Sequence, residues 1–401
     1  MINALANAQT DTTISTFVNV HQGNGNGLAT RTVIDTFYFP QDLSMYDTMQ
    51  MTVLLNCPTG GCDIWDRYAN IMIYEQGEWF EIGRYMTPYG KSCGWTIDVS
   101  DYRNFLTDTV IIKSFIDTWT NPGWLVNIDF HMLAGTTIHP WIQIDNLWNN
   151  ENVIYGDSTQ PVNIPERVIN INSNSTEVKV KVVNTGHGQG NLNNAAEFSQ
   201  KTHHLVVEQT HSLNHLPWRN NCSSNPCSPQ NGTWQYNRAG WCPGADVIPT
   251  DFDVTTFVTP GASNSFKYEL QSYFNTCSPN NPGCVSGGSC PDCNYNYNGH
   301  TEPHYKIAAQ VISYLSAPVS AGEILSERFS VSPNPSAGVF TIRTTGKSVS
   351  NAIVFSAIGK IEWTGKVSSG QQVDLSFLSK GIYFMRVNNE NGSAVNRLII
   401  E

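Results

Sequence analysis

Charged side chains are scarce in this 401-residue chain: Asp, Glu, Lys and Arg make up 14% of it, and 22 basic residues face 33 acidic ones. A net charge of -11 gives no cationic footprint for nucleic acid or an anionic membrane, so neither is expected as a partner. Nowhere does an apolar run reach the roughly 18 residues that a spanning helix needs, so membrane insertion is not expected either. The opening MINALANAQT has no basic n-region and no full apolar h-region, so a secretory leader is either trimmed or present only as its tail. The composition also leaves no room for long helical bundles or coiled coils.

What the chain has instead is 11% aromatics, 31 Gly, 20 Pro and many Asn, Ser and Thr, the profile of a loop-rich β protein. Segments of period-two or β-branched character recur at Thr30–Phe39, Met49–Asn56, Ala69–Tyr74, Trp79–Tyr85, Thr109–Trp119 and Trp124–Leu133. A second set comes later, at Val168–Ile171, Glu177–Val183, His203–Glu208, Ser265–Phe274 and Tyr305–Leu315. Gly, Pro, Asn and Asp turns separate them, as in a sandwich or jelly roll. The polar, Pro-bearing stretch 151–165 places a boundary near residue 158, giving domains over 12–158 and 159–316. A small-residue linker spans 317–326. Beyond it the charge reverses: residues 327–401 hold 8 basic and 5 acidic residues, against 14 and 28 before them, which marks an independent module. Ten cysteines, several closely spaced, point to disulfides and an oxidising compartment.

The last 75 or so residues contain Pro333-Asn334-Pro335, then Gly338-Val339-Phe340, then Gly381-Ile382-Tyr383-Phe384, and end in Arg397-Leu398-Ile399-Ile400-Glu401. Strands with Gly turns suggest a small β-sandwich. In this order the motifs resemble the C-terminal sorting domain of the type IX secretion system of Bacteroidetes-type bacteria. That resemblance implies a secreted or cell-surface protein, the secretion machinery as a partner, and a tail commonly removed on export.

Cys57-Pro58-Thr59-Gly60-Gly61-Cys62 closes a tight loop whose glycines permit the turn, so a local disulfide is sterically allowed. Directly after it, Asp63-Ile64-Trp65-Asp66-Arg67-Tyr68-Ala69-Asn70 gathers acid chemistry and sugar-stacking surface in eight residues. Read alone, the block equally allows Asp66 and Arg67 as a surface pair and Trp65 as a core residue. With Gly77 to Tyr89, Ile97 to Tyr102 and Arg238-Ala239-Gly240-Trp241-Cys242-Pro243-Gly244, it resembles the peptide-N-glycosidase F family, in collinear order over about residues 12–316.

The resemblance implies an all-β chain: two adjacent antiparallel jelly-roll domains with the active site at their interface, followed by the small sorting domain. It implies an amidase that cleaves the bond between Asn and the innermost N-acetylglucosamine of an N-glycoprotein or N-glycopeptide, acting as a monomer with no cofactor or metal. By motif match Asp66 is the principal catalytic carboxylate, as general base or direct activator of the reacting group; Glu197 in Ala195-Ala196-Glu197-Phe198-Ser199 is the second acid, positioning the water or the amide; Asp117 is the third catalytic carboxylate; and Arg238 is the essential cation, binding the amide oxygen or organising the carboxylates. Asp117 stands where the family usually has Glu, one methylene shorter, which weakens a contact that needs tight positioning. The family's Cys, Cys and Trp are replaced by Ala195, Ser199 and Phe198, so the Glu197 loop is expected to be freer. Arg67, Tyr68, Trp119, Trp241 and His187 are expected to bind substrate, the two tryptophans as platforms for sugar rings with core burial as the alternative. Thr185 replaces a Trp. Cys222 with Cys242 matches a family disulfide, while Cys93 and Cys227 find no assigned partner.

Other signals carry less. His300, Glu302 and His304 alternate at strand spacing but lack a fourth metal ligand. Cys277, Cys284, Cys290 and Cys293 are expected to form disulfides rather than a zinc site. The Gly23-Asn24-Gly25-Asn26-Gly27 run lacks the Lys-Ser/Thr of a phosphate loop and reads as a turn. Three rival readings remain: a glycoside hydrolase using two carboxylates, a non-catalytic glycan-binding protein, and a copper monooxygenase, for which the chain lacks a convincing His and Met set.

Overall fold

In the strand Tyr46–Asn56, Met49, Met51, Val53 and Leu55 alternate with less buried neighbours, and Trp124–Ala134 repeats the pattern from Trp124 to Met132. Such alternation lines one face of a sheet with apolar side chains, each stabilising by about 1.5–3 kcal/mol when fully buried. The computed structural model describes residues 10–25, 28–277, 302–316, 330–343, 350–356, 360–389 and 392–401. In it these two strands are neighbours in an antiparallel sheet ordered Thr12–Gln22, Trp124–Ala134, Tyr46–Asn56, Cys93–Asp98. A second sheet, ordered Ala245–Asp246, Glu78–Met86, Tyr68–Glu75, Thr109–Ile116, Thr32–Tyr38, shares the same core through Ile71, Ile73, Phe80, Ile82, Val110 and Ile112.

The later residues build a second pair of sheets. One is ordered Ile142–Ile154, His304–Leu315, Ser175–His187, Thr250–Asp253, and the other Arg167–Asn170, Ser263–Glu269, His203–Val207, His211–His215. Val180, Val182, Leu205, Val207, Phe266, Ile307 and Val311 meet between them. Ile142–Ile154 precedes the expected boundary near 158 yet pairs with His304–Leu315, and its side chains enter both cores: Ile142 and Ile144 the first, Leu147 and Trp148 the second.

His304–Leu315 is buried along nearly its whole length. Tyr305, Ile307, Ala309 and Val311 face the second core, while Lys306, Gln310, Ile312 and Tyr314 turn toward the first half. Burial on both faces is why this strand reads as a nearly continuous run rather than an alternation. The halves also meet through polar groups. Tyr102 donates its hydroxyl to Gln310 Oε1 at 2.6 Å, Gln310 Nε2 donates to the Glu81 carbonyl at 3.0 Å, and Arg84 Nη1 donates to the Lys306 carbonyl at 2.6 Å. Arg84 is itself paired with Glu81 at 2.7 and 3.0 Å, both side chains buried, so removing one partner would strand the other charge. A disulfide between Cys93 and Cys227, the two cysteines the sequence left unassigned, ties the halves covalently across 134 residues.

The chain divides into two compact units, Met1–Ile73 with Phe80–Pro318, and Tyr74–Trp79 with Val319–Glu401. The tail forms two antiparallel sheets, Ser330–Ser332 with Val339–Arg343 and Gln372–Asp374, and Ile361–Val367 with Ser350–Ser356, Gly381–Asn389 and Gly392–Ile400, around Phe340, Val354, Met385 and Leu398. The expected linker lies outside the described residues, as do Cys284, Cys290, Cys293 and His300. Cys277 is disulfide-bonded.

Two histidines in the second core set a pH limit. His203 and His215 are buried; Gln271 N–H donates to His203 Nδ1, and His215 Nδ1 is 2.6 Å from the Tyr268 hydroxyl. Burial holds them neutral, pushing His203 down to about 3 and His215 down to about 4. A base with a depressed folded-state pKa leaves stability intact above its unfolded value near 6.5 and loses it as pH falls toward the folded values. His203 should therefore cost about 2 kcal/mol at pH 5, and the wild-type thermal midpoint should fall further between pH 7.5 and 5 than that of His203→Gln. Calorimetry of the two proteins checks this; equal changes in midpoint over that range refute it.

Candidate active site

The strand Tyr46–Asn56 runs into the loop closed by the Cys57–Cys62 disulfide. Beyond the disulfide the chain is organised by Asp63, a residue to which the sequence assigns no role. Buried at 1% exposure, Asp63 accepts from Arg67 Nε at 2.7 Å and Nη2 at 3.3 Å, from Thr118 Oγ1 at 2.7 Å and from the Trp65 N–H at 3.1 Å. These bonds pin the loop between two strands and turn Asp66 into a cleft of about 610 Å³. There Asp66 Oδ2 accepts from the Tyr89 hydroxyl at 2.8 Å and lies 4.0 Å from Arg238 Nη2.

Arg238 comes from the second half and is almost wholly buried, at 1% exposure. Its Nε donates to Glu197 Oε1 at 2.9 Å, Nη1 to the carbonyls of Thr233 and Tyr236 at 3.1 and 2.7 Å, and Nη2 to Thr233 Oγ1 at 2.9 Å. Phe198 and Trp241 carry the guanidinium against their rings at 4.9 and 4.8 Å. The turn that delivers it needs Gly240, whose φ is +83° and where a Cβ would sit 2.1 Å from the Asn184 carbonyl oxygen. Glu197 is held by its own backbone: its carbonyl accepts from Ala239 N–H at 2.8 Å, and Ala195 and Ala196 before it are buried. In place of the lost cysteines, Ala195 and Ala196 pack into the second core.

The fold thus brings Asp66, Glu197 and Arg238 together from positions 41 to 172 residues apart. Burial raises the Glu197 carboxyl to about 7, with the Asp66 charge adding to the rise and Arg238 opposing it. Burial also raises Asp66, opposed by Arg238 and the Tyr89 hydrogen bond. Two carboxyls whose proton affinity burial raises, beside a fixed cation, suit a proton-transfer site.

Asp117 lines the same cleft but is a third exposed, and Arg31 Nη1 pairs with it at 3.0 Å. Trp119 stands open at 60% exposure. Trp241, 4% exposed, donates Nε1 to the Gly186 carbonyl and stacks on His187 at 5.4 Å, so it is a buried support in the wall rather than an open platform. His187 stacks also on His304 at 5.3 Å and is held neutral by burial and by the charges of His304, Lys306 and Arg84. Tyr68 lies in the wall with its hydroxyl toward Glu81. Thr185 is buried, bonding Arg84 Nη1 and His187 Nε2. Cys222–Cys242 forms at the base of the segment that carries Arg238. Among the described residues no group of three His, Cys, Asp or Glu is arranged for a metal.

Sequence reasoning missed Asp63, Tyr89, Thr233 and Lys306, which build or line the cleft. Asp63 and Tyr89 sit inside blocks that were singled out, but Thr233 and Lys306 carry no motif. Trp65, half exposed, lines the cleft rather than the core.

In carbon-13 NMR of glutamate-labelled protein, the Glu197 carboxyl should titrate near pH 7 and move lower in Asp66→Asn, since the neighbouring negative charge is removed. A midpoint near the ordinary carboxylate range in the wild type would remove the raised proton affinity of Glu197.

Comparison with known proteins accords with this geometry. Residues 74–132 match a family model described as Peptide-N-glycosidase F, N terminal, residues 154–289 match its C-terminal counterpart, and residues 330–401 match a secretion system C-terminal sorting domain. The chain is 31% identical over 294 residues to Peptide-N(4)-(N-acetyl-beta-D-glucosaminyl)asparagine amidase F of Elizabethkingia miricola, covering 68% of this chain and 82% of that one. Among solved structures it is similar to PNGase F, a glycosylasparaginase from Flavobacterium meningosepticum, with TM-score 0.67 and 27% identity over 78% of this chain and 98% of that one. PNGF-II shares the fold, with TM-score 0.59 and 13% identity over 77% of this chain and 65% of that one.

Proposed function

As the chain belongs to the peptide-N-glycosidase F family, we propose that it is an amidase that hydrolyses the link between Asn and the innermost N-acetylglucosamine of N-glycoproteins. The sorting domain marks the protein for export by the type IX secretion system, to the secreted or cell-surface compartment. The observation that carries the catalytic reading is the convergence of Asp66, Glu197 and the buried Arg238 on one cleft.

Hydrolysis of an amide needs an activated water, a held oxyanion and a proton for the nitrogen that leaves. Glu197, with a proton affinity near neutrality, suits the shuttle. Its carboxylate takes a proton from water as the oxygen attacks the Asn carbonyl carbon, then returns it to the amide nitrogen as the C–N bond breaks. The products are a glycosylamine and Asp. Asp66, held by Tyr89, accepts from the amide N–H and orients the linkage; Arg238 steadies both carboxylates from beneath. Arg67 spends Nε and Nη2 on Asp63, and its Nη1 has no protein acceptor among the described residues, so it is placed for the carbonyl oxygen or a sugar hydroxyl.

Incubation of a denatured N-glycoprotein in oxygen-18 water should release the whole glycan and leave labelled Asp, read by mass spectrometry. A retained N-acetylglucosamine would mark a glycosidase, and a bound but unchanged glycopeptide would mark a binding protein. Asp66→Asn should lower kcat by about a thousandfold or more without unfolding the chain. The wild-type kcat/KM should rise through an ionisation near pH 7 that Glu197→Gln abolishes, because the shuttle must start deprotonated.

A further inference from the structure

Arg31 belongs to none of the sequence motifs, yet its backbone is tightly held. Its carbonyl accepts from the Ile116 N–H at 3.0 Å and from Gln22 Nε2 at 2.8 Å. Gln22 is fully buried and is fixed in turn by Ser114, whose carbonyl and hydroxyl both bond its amide. The anchorage sets Arg31 beside Asp117–Trp119, where the chain leaves the strand Thr109–Ile116. From there one guanidinium makes two contacts: Nη1 with Asp117 Oδ1 at 3.0 Å, and Cζ 4.0 Å over the centre of the Trp119 ring.

Asp117 and Trp119 both line the cleft, and both are exposed enough to move. An exposed ion pair or a lone cation–π contact is weak, but a planar guanidinium that engages both fixes the two side chains to each other. A flat ring that must receive the apolar face of a sugar gains affinity when its orientation is set beforehand, because less freedom is lost on binding. Asp117, on its short side chain, is likewise held where it stands.

We propose that Arg31 is a specificity-determining positioning residue that presents Trp119 as a fixed platform for the first N-acetylhexosamine rings of the substrate and holds Asp117 as an acceptor for their hydroxyl or acetamido groups. Arg31 acts through those two side chains and takes no part in proton transfer. The inference rests on the cleft being an N-glycan site, the function proposed for it here.

The test uses the full chain and a defined N-glycopeptide, with Kd measured in an Asp66→Asn background and KM and kcat in the otherwise wild-type enzyme. Arg31→Ala should raise Kd and KM about five- to tenfold and change kcat much less. Arg31→Lys should recover part of the loss, keeping the charge toward Asp117 but not the flat stack. In the Arg31→Ala/Trp119→Ala pair the losses should not multiply, since both remove one unit. Unchanged Kd and KM, or losses that multiply, would overturn the proposal, as would a fall in kcat and thermal midpoint at constant KM. If the wild type forms no Asp yet binds the glycopeptide in an Arg31-dependent way, the catalytic reading fails and this one stands. No glycopeptide binding at all would sink both.

Discussion

A guanidinium cannot shed its charge inside a protein, so burying Arg238 obliges the surrounding chain to supply acceptors from fixed directions. Glu197, Thr233 and the Tyr236 carbonyl do so from the second half, and Phe198 and Trp241 cover its faces. The first half contributes Asp66 at 4.0 Å and, through Tyr89, a bond to the same Thr233 hydroxyl. The cation thus couples the halves at the point where the cleft opens. The Gly240 turn, the seated Glu197 segment and the Cys222–Cys242 bridge all hold the partners that this one buried charge requires.

Away from the cleft the halves share apolar contacts, with Ile142, Ile144, Ile312 and Tyr314 in the first core, and a polar junction besides. Arg84, Glu81, Tyr102 and Gln310 form a buried network whose members are worth little singly and much together, because an orphaned charge or amide in the interior is costly. Such a junction fixes relative position more than it adds stability, which is what a site assembled from both sides needs. The Cys93–Cys227 bridge shortens the same junction covalently near the segment bearing Gln230 and Thr233, and Gln230 in turn accepts from the Tyr89 N–H at 3.0 Å.

The two acids at the centre are both enclosed. Burial outweighs the Arg238 charge at both, and at Asp66 the Tyr89 hydroxyl opposes the rise as well. Both rises come from enclosure, and at Glu197 the Asp66 charge adds to it. His187, wedged between Trp241 and His304, stays neutral for the same reason, so the wall beside them adds shape and hydrogen bonding rather than another charge.

The sequence by itself determined the all-β class, the charge-reversed tail and the local blocks around Asp66, Glu197 and Arg238, because these depend on alternation, composition and short-range motifs. It located the strands whose apolar residues alternate or run together, such as Met49–Asn56 and Tyr305–Leu315. Thr12–Gln22, Cys93–Asp98, Ile142–Ile154, His211–His215 and Thr250–Asp253 escaped it, since their polar or Asn-rich residues conceal the period. Only the tertiary structure decided that Asp63 rather than Asp66 takes the Arg67 fork, that Trp241 is a buried support while Trp119 is open, that Cys93 pairs with Cys227, and that Arg31 reaches Asp117 from 86 residues away. Each of those outcomes depends on which side chains two distant strands bring within a few ångströms, and spacing along a chain does not encode that distance.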